Sequence, residues 1–572
     1  MRRTAGLLLA VLLAPGLSAA DGPRELVGRR TVAITAKRPA VGKTPAGSFF
    51  GTGSIISPLG YVLTSTTVVP PNCNEINVVS PGHFKLKGTL VKADEKIELA
   101  LIRIEPPKNG LPFFALRDSS TAELGEVVIT VSNSFQLARN AGELSMSVGF
   151  LSGRYKLTKK LALQPVYLGE VVETTAATNP GSDGGPLLDG SGQLIGVLTL
   201  NVSNARWLGV AVPLRVMLSD IKKAMAEDLA KRKVTPPAEL LHVAEGPGAP
   251  LFPQWEARAA RFRAAAKRVA RSVVAIKVNR TKDDPRFTRR VRVGRTGRAR
   301  LLGEIRKRPT GAAVSGVIVG ADGWIATSYF NIAGTLKSVQ VVLADGKKLP
   351  AKVVGWDQER DLALLKVKAK GLPAIALRSE VSLGSYVCVL GRSPTPDSLT
   401  LSAGVISAVG RIDRSRLQFD AKANVGNTGG PLIALDGTCL GIVGGVTTNS
   451  RHGQNSGIAF ATWSAVLTES IEQLKKGTKI KRRPRASLGI IPASSAVDLQ
   501  GVLVARVAPK SAAAKAGLMR NDSILEVNGI AVEGVAQFVN LIKTMKPGDK
   551  IKLVVRRRAR QMTFEATLGE RK

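Results

Sequence analysis

GSDGGPLLDGSGQLIGVLT at residues 181–199 and GNTGGPLIALDGTCLGIVG at 426–444 are two versions of one element. Each begins in a glycine-rich loop, runs into aliphatic residues and turns at an Asp-Gly or Gly-Ser-Gly step. The correspondence extends outward. GTGSIISPLGYVLTSTTVV (51–69) matches SGVIVGADGWIATSYFNI (315–332), LVKADEKIELALIRIE (90–105) matches VVGWDQERDLALLKVK (353–368), and LPFFALRDSS (111–120) matches LPAIALRSEV (372–381). Blocks repeated in one order mean two homologous domains. Short runs of Val, Ile, Leu and Thr, punctuated by Gly, Pro and Asp, predict an all-β unit of sandwich or barrel type. Each copy is expected to close on an amphipathic helix, over 212–233 and 462–477.

The rest of the chain falls around these copies. MRRTAGLLLAVLLAPGLSAA reads as a signal peptide over 1–20: two arginines, an apolar run and small residues at its end. An uncleaved anchor is the alternative; Pro15 and Gly16 shorten the run against it. Copy one then covers 21–233, a Pro/Gly-rich linker 234–253, and copy two 254–477, entered through the basic helix WEARAARFRAAAKRVARSV (255–273). KIKRRPR marks a basic linker over 478–484, and the pattern changes to a small α+β domain over 485–572.

Composition narrows the function classes. In 572 residues there are 58 glycines and 4% aromatics, so aliphatic side chains must fill the cores. A net charge of +39 favours acidic partners. Export makes nucleic acid the least expected of these, and no nucleic-acid motif is present. Three cysteines exclude a disulfide scaffold. Cys388 and Cys439 lie in strand-like runs of one copy, as either a bridge or two buried thiols. No Cys/His spacing suggests a metal, and no cofactor motif appears.

The repeated unit resembles the trypsin-like protease domain of the HtrA (DegP-type) family, and the last module resembles that family's PDZ domain. The resemblance implies a mainly β chain: two tandem trypsin-like double β-barrel domains followed by a PDZ-like α+β domain. It also locates a triad. The family's histidine follows a G-Y/W-I-L-T strand; here LTSTTVV puts Thr67 there and ATSYFNI puts Phe330. The aspartate position holds Glu98 in copy one and Asp361 in copy two. The serine position holds Asp183 and Thr428.

Chemistry makes these differences consequential. A hydroxyl attacks an amide when a base takes its proton, and the same base must protonate the leaving amine. Neither Thr67 nor Phe330 can do so. The chain's three histidines, His83, His242 and His452, stand outside the motifs and read as surface residues. A shifted nucleophile at Ser182, or a lysine base, is the enzymatic alternative. The glycines remain: Gly181, Gly184, Gly426 and Gly429 imply oxyanion-type loops whose N–H groups form a nest, or else serve folding alone.

In the PDZ-like module, SLGI resembles the carboxylate-binding loop, which assigns Leu488, Gly489 and Ile490 to a peptide's C-terminus. Val535, Val539 and Ile542 share a helix face and either line the groove or belong to the core. Residues 280–308 carry twelve Arg or Lys against three acids, as a grip for an anionic envelope partner or as solvated loops. The function expected is an exported pseudoprotease, periplasmic or extracellular, that binds peptides or protein C-termini as scaffold, holdase or protease regulator. The alternatives are an active serine endopeptidase and a cationic envelope-adhesion protein.

Overall fold

A computed structural model describes residues 22–570, apart from 41–45, 109, 141, 159–166, 201–207, 282–290, 294–298, 302–312, 394, 425, 446–457, 482–483, 485 and 494–500. The signal-peptide expectation over 1–20, His452 and most of the basic segment 280–308 therefore lie outside the described residues. The chain forms two compact units, up to Lys479 and from Ile480 onward.

In copy one, six strands close a barrel in the order Thr31–Arg38, Gly47–Ile55, Tyr61–Thr64, Leu99–Ile104, Phe84–Asp94 and Glu75–Ser80. A second sheet runs Pro186–Asp189, Val127–Ser132, Ser145–Lys156, Glu170–Thr174, Gly209–Pro213 and Leu194–Thr199, continues to Leu116–Arg117 and Val243–Ala244, and closes a ring where the first of these strands also pairs with the sixth. Copy two repeats both rings. Its second barrel runs Tyr386–Arg392, Leu399–Gly410, Arg416–Phe419, Ala459–Trp463, Cys439–Val443 and Pro431–Ala434.

The unbroken apolar runs follow from burial on both strand faces. In Leu99–Ile104, Ala100, Ile102 and Ile104 fill the first barrel, while Leu99 and Leu101 pack toward Ile129, Leu188 and Leu194 of the second sheet. In copy two, Ala363 and Leu365 point into the barrel and Leu362 and Leu364 out of it. Period-2 alternation with both faces covered leaves no polar face to read.

The helical expectations are corrected at their edges. Residues 212–213 end the strand Gly209–Pro213, and the helix spans Leu218–Lys231; residues 462–463 end the strand Ala459–Trp463, and the helix spans Ser464–Lys475. The stretch 234–253 is not loose. Leu241 is buried, and Val243–Ala244 pairs in parallel with Leu116–Arg117.

The basic helix spans Pro253–Val269 and ends in a 3₁₀ turn, Ala270–Ser272. It buries Ala259, Phe262, Ala266 and Val269, whose spacing makes one stripe. Phe262 meets Phe150 of copy one edge-on at 5.5 Å and Tyr386 of copy two at 6.0 Å. The Ser152 hydroxyl donates to the Leu401 carbonyl (2.6 Å), and the Lys422 ammonium donates to the Thr175 carbonyl. One apolar cluster joins Val127 and Phe150 to Cys388, Leu390 and Leu401. The copies thus share a core.

The C-terminal unit is a sheet in the order Ile490–Pro492, Val502–Val507, Ser523–Val527, Lys550–Arg557 and Arg560–Thr567, with the helix Val535–Thr544. Its core contains Val502, Ile524, Leu553, Val555 and Phe538.

The cysteine alternatives resolve by register. Cys388 pairs with Ile433, and Ile433 pairs with Cys439. One strand therefore separates the two thiols, placing their Cα atoms about 9–10 Å apart, beyond the ~7 Å that a disulfide spans. Cys73, Cys388 and Cys439 are all free. Thiol titration of the unfolded, unreduced chain should give all three cysteines as reactive; a single reactive thiol per chain would contradict this register.

Candidate functional site

In both copies a hydroxyl on a first-barrel strand holds the glycine-rich loop. Thr52 Oγ1 donates to the Gly181 carbonyl (2.7 Å) and accepts from the Asn133 amide (2.9 Å). Ser315 Oγ does the same between the Gly426 carbonyl (2.6 Å) and the Arg392 amide (2.9 Å). Both hydroxyls are fully buried. Thr64 and Thr327 then donate to the Thr52 and Ser315 carbonyls at 2.7 and 2.8 Å. A Cβ on Gly184 would lie 2.0 Å from Thr64 Oγ1, and one on Gly429 would lie 2.1 Å from Thr327 Oγ1, so only glycine fits either place. Sequence reading missed these hydroxyls. Their signal was a hydroxyl residue before glycine at matching positions, Thr52-Gly53 and Ser315-Gly316.

The expected nest is corrected in detail. The amides of Gly184 and Gly429 donate to the Leu198 and Val443 carbonyls, so neither faces a ligand. The Gly426 amide donates to Asn424 Oδ1 within its own loop at 2.9 Å. In copy one, Gly181 is left-handed at φ 99°, and among the described residues no acceptor meets the Gly181 or Asp183 amide. An open pair of donors therefore remains in copy one, while copy two satisfies its glycine donor internally.

At the triad positions of copy one, Thr67 Oγ1 lies 2.9 Å from Ser65 Oγ. Glu98 is buried, and its carbonyl accepts from Thr66 (3.4 Å). Asp183 is half-buried; its carbonyl accepts from Thr52 N (2.9 Å) and its Oδ1 from Leu200 N (2.5 Å). Burial pushes the Asp183 carboxyl above the usual carboxylate range, against the pull of the Leu200 amide. Ser182 is fully buried, and its Oγ accepts from Asn179 N (3.0 Å) and lies 3.5 Å from Ser134 Oγ. Its hydroxyl thus lies between its own loop and Ser134. Exposed Phe50, Phe135 and Leu200 neighbour this loop in sequence or by contact.

In copy two, Asp361 is fully engaged without an imidazole. Its carboxylate accepts from Ser328 Oγ (2.8 Å), Phe330 N (2.8 Å) and Gly445 N (2.9 Å). The Phe330 ring packs so closely that a Cβ on Gly445 would lie 2.9 Å from it. Thr428 is buried, its Oγ1 has no partner among the described residues, and its carbonyl accepts from Asn331 Nδ2 at 2.7 Å. Glu98 and Asp361 share one backbone feature: left-handed φ values of 52° and 53°. The same left-handed turn is thus present at this position in both copies, an uncommon conformation for non-glycine residues.

His83 and His242 sit 3.9 and 3.8 Å from Glu25 and Glu239. Among the described residues no cluster of three His, Cys, Asp or Glu could hold a metal, and no helix is long and apolar enough to cross a membrane. Within the basic segment, Arg280 donates to the Asn331 and Ala333 carbonyls, and Val291–Val293 pairs with Ala299–Leu301.

In the C-terminal unit, Leu488 is buried and its carbonyl accepts from Ala513 N (2.8 Å). Gly489 is left-handed at φ 81°, and a Cβ there would collide with Ser511 at 2.3 Å. Among the described residues no acceptor meets the Leu488 or Gly489 amide. Ile490 begins an edge strand. On the helix, Val535 is exposed, Val539 is partly buried and Ile542 is buried in the core.

A family model described as "Trypsin-like peptidase domain" matches residues 51–197 and 314–442, and one described as "PDZ domain" matches 470–568. A "Probable periplasmic serine endoprotease DegP-like" from Marinomonas sp. (strain MWYL1) is 35% identical over 273 residues, 45% of this chain and 57% of that protein. Its counterpart from Hahella chejuensis (strain KCTC 2396) is 35% identical over 272 residues, 45% and 56%. The chain thus spans little more than half the length of these curated relatives. The serine endoprotease from Yersinia pestis, a solved structure, is 28% identical with a TM-score of 0.36, covering 54% of this chain and 98% of that one.

Replacing Asp183 tests the half-buried carboxylate. A raised folded-state pKa means that the native state disfavours the charged form, so Asp183→Asn should be more stable than the parent at neutral pH. The gap should close as pH falls from the raised folded value to the unfolded value near ~3.9. Urea midpoints at pH 7.5 and pH 3.5 check this; a gap independent of pH would rule it out.

Two trypsin-like peptidase copies built on one loop geometry, followed by a PDZ domain, are thus the domain composition of this chain, and it is similar in sequence to the periplasmic DegP-like serine endoproteases.

Proposed function

We propose that this chain is an exported HtrA-type protein that binds peptides without cleaving them, as scaffold, holdase or regulator of an active protease. The observation that carries the reading is at Asp361. The carboxylate that would hold an imidazole accepts instead from Ser328, Phe330 N and Gly445 N, and a phenyl ring occupies the base position. Copy one lacks a base too, and Ser182 is buried in its own loop. A triad missing a member retains about 10³ to 10⁴ over the water rate, too little for peptide hydrolysis to matter. The periplasmic names of the relatives and the arginine-led apolar N-terminus support export.

Peptide capture rests on the C-terminal unit. The Leu488 and Gly489 amides offer a carboxylate two donors, the edge strand at Ile490 offers backbone pairing, and Val535 and Val539 offer an apolar wall. The open Gly181 and Asp183 amides give copy one a second place for a peptide carbonyl.

The second reading, an active serine endopeptidase, is favoured by the relatives' name. Fluorophosphonate labelling and casein digestion separate the two. Neither labelling nor digestion is expected; labelling lost on Ser182→Ala or Thr428→Ala would establish the enzyme.

An array of C-terminal peptides, each with a free and an amidated end, tests the groove. Amidation should weaken binding at least about tenfold, the loss of one charge-assisted contact set. Equal binding to both forms would remove the groove from the proposal.

A further inference from the structure

The basic helix Pro253–Val269 does more than join the copies. Opposite its buried stripe, Arg261, Ala264 and Arg268 are exposed on one face, at i, i+3 and i+7. That face forms one side of an open cleft of about 550 Å³, whose other side is the second barrel of copy two, with Arg378, Tyr386, Leu435 and Asp436.

The charges in this cleft are unbalanced. Arg378 pairs with Asp436 at 2.6 Å, and among the described residues its buried Nε–H has no partner. Arg268 reaches only the Asp436 carbonyl, at 3.4 Å, and among the described residues Arg261 has no acidic partner. By contrast, Arg263 on the same helix is paired with Glu256 (2.7 Å), and both Arg263 and Lys267 lie within 4 Å of Glu123. Among the described residues, the guanidinium groups of this helix that have no acidic partner, Arg258, Arg261 and Arg268, therefore lie in or beside the cleft. Beside them the Tyr386 ring is exposed, with the Arg258 guanidinium 5.0 Å above it. Leu435 adds an aliphatic wall.

We propose that this cleft binds an acidic segment of a partner protein, in which carboxylates alternate with aliphatic side chains. Guanidinium forks pair carboxylates bidentately, and the ring and Leu435 cover the intervening apolar groups. A free phosphate would engage the cations and leave those apolar surfaces bare. The site uses residues of neither nucleophile loop and none of the C-terminal unit, so it stands whether or not the chain cleaves peptides.

The test is fluorescence anisotropy of a labelled Glu-Leu-Glu-Leu-Glu-Glu peptide on the full chain at 0.15 M salt, where the Debye length of about 8 Å mutes long-range attraction. The peptide is amidated at its C-terminus, so capture by the Leu488–Ile490 loop cannot account for binding. Arg261→Ala with Arg268→Ala should weaken binding about tenfold or more. Lys222→Ala with Lys223→Ala, which removes the same charge from exposed positions on the helix Leu218–Lys231, should leave it unchanged. Matching thermal unfolding establishes that both variants fold. Absent binding by the parent, equal loss in both variants, or a loss confined to a ten-nucleotide DNA probe would each overturn the proposal.

Discussion

One buried hydroxyl in each copy holds the structure's central joint. Thr52 and Ser315 each donate to a loop carbonyl and accept from an amide of the second barrel, so a single side chain joins three pieces of backbone. A lost partner here leaves buried polar groups unsatisfied, which costs more than the bond contributes when made. The loop's path is therefore fixed by the barrels. It does not depend on what occupies the nucleophile position, which is why Asp183 and Thr428 stand on similar backbones with different side-chain chemistry.

The same separation of scaffold from chemistry explains the unequal state of the two copies. Copy two has filled its site from within: Asn424 takes the Gly426 amide, and Ser328, Phe330 and Gly445 take the Asp361 carboxylate. Copy one holds a carboxylate at the nucleophile position, and among the described residues no acceptor meets the Gly181 and Asp183 amides beside it. The polar groups at matching positions of the two copies thus settle on different partners.

The barrels were legible because they rest on patterns local in sequence, whereas the triad positions came from the resemblance of the motifs to a known family. Strands announce themselves by aliphatic runs, and the repeat fixed their order. What escaped were directions and distant partners. Thr52 reads as an ordinary strand threonine, since its acceptor at Gly181 is far along the chain. The amides of Gly184 and Gly429 looked available, but tertiary pairing turns them onto neighbouring strands. Ile542 shares a helix face with Val535, yet lies about 10 Å further along the axis. Over that rise the face passes from exposed to core.

Fusing the copies through Phe262 has a consequence for how the sequence can change. A symmetric dimer must present the same patch twice, so every substitution appears on both sides of the interface. Here Phe150 and Tyr386 meet Phe262 from different copies as unrelated residues. Either side can drift alone, and the ratio of the two halves is fixed by translation at any concentration. Covalent pairing thus releases one half from the demands placed on the other, the condition under which a duplicated site can take up separate work.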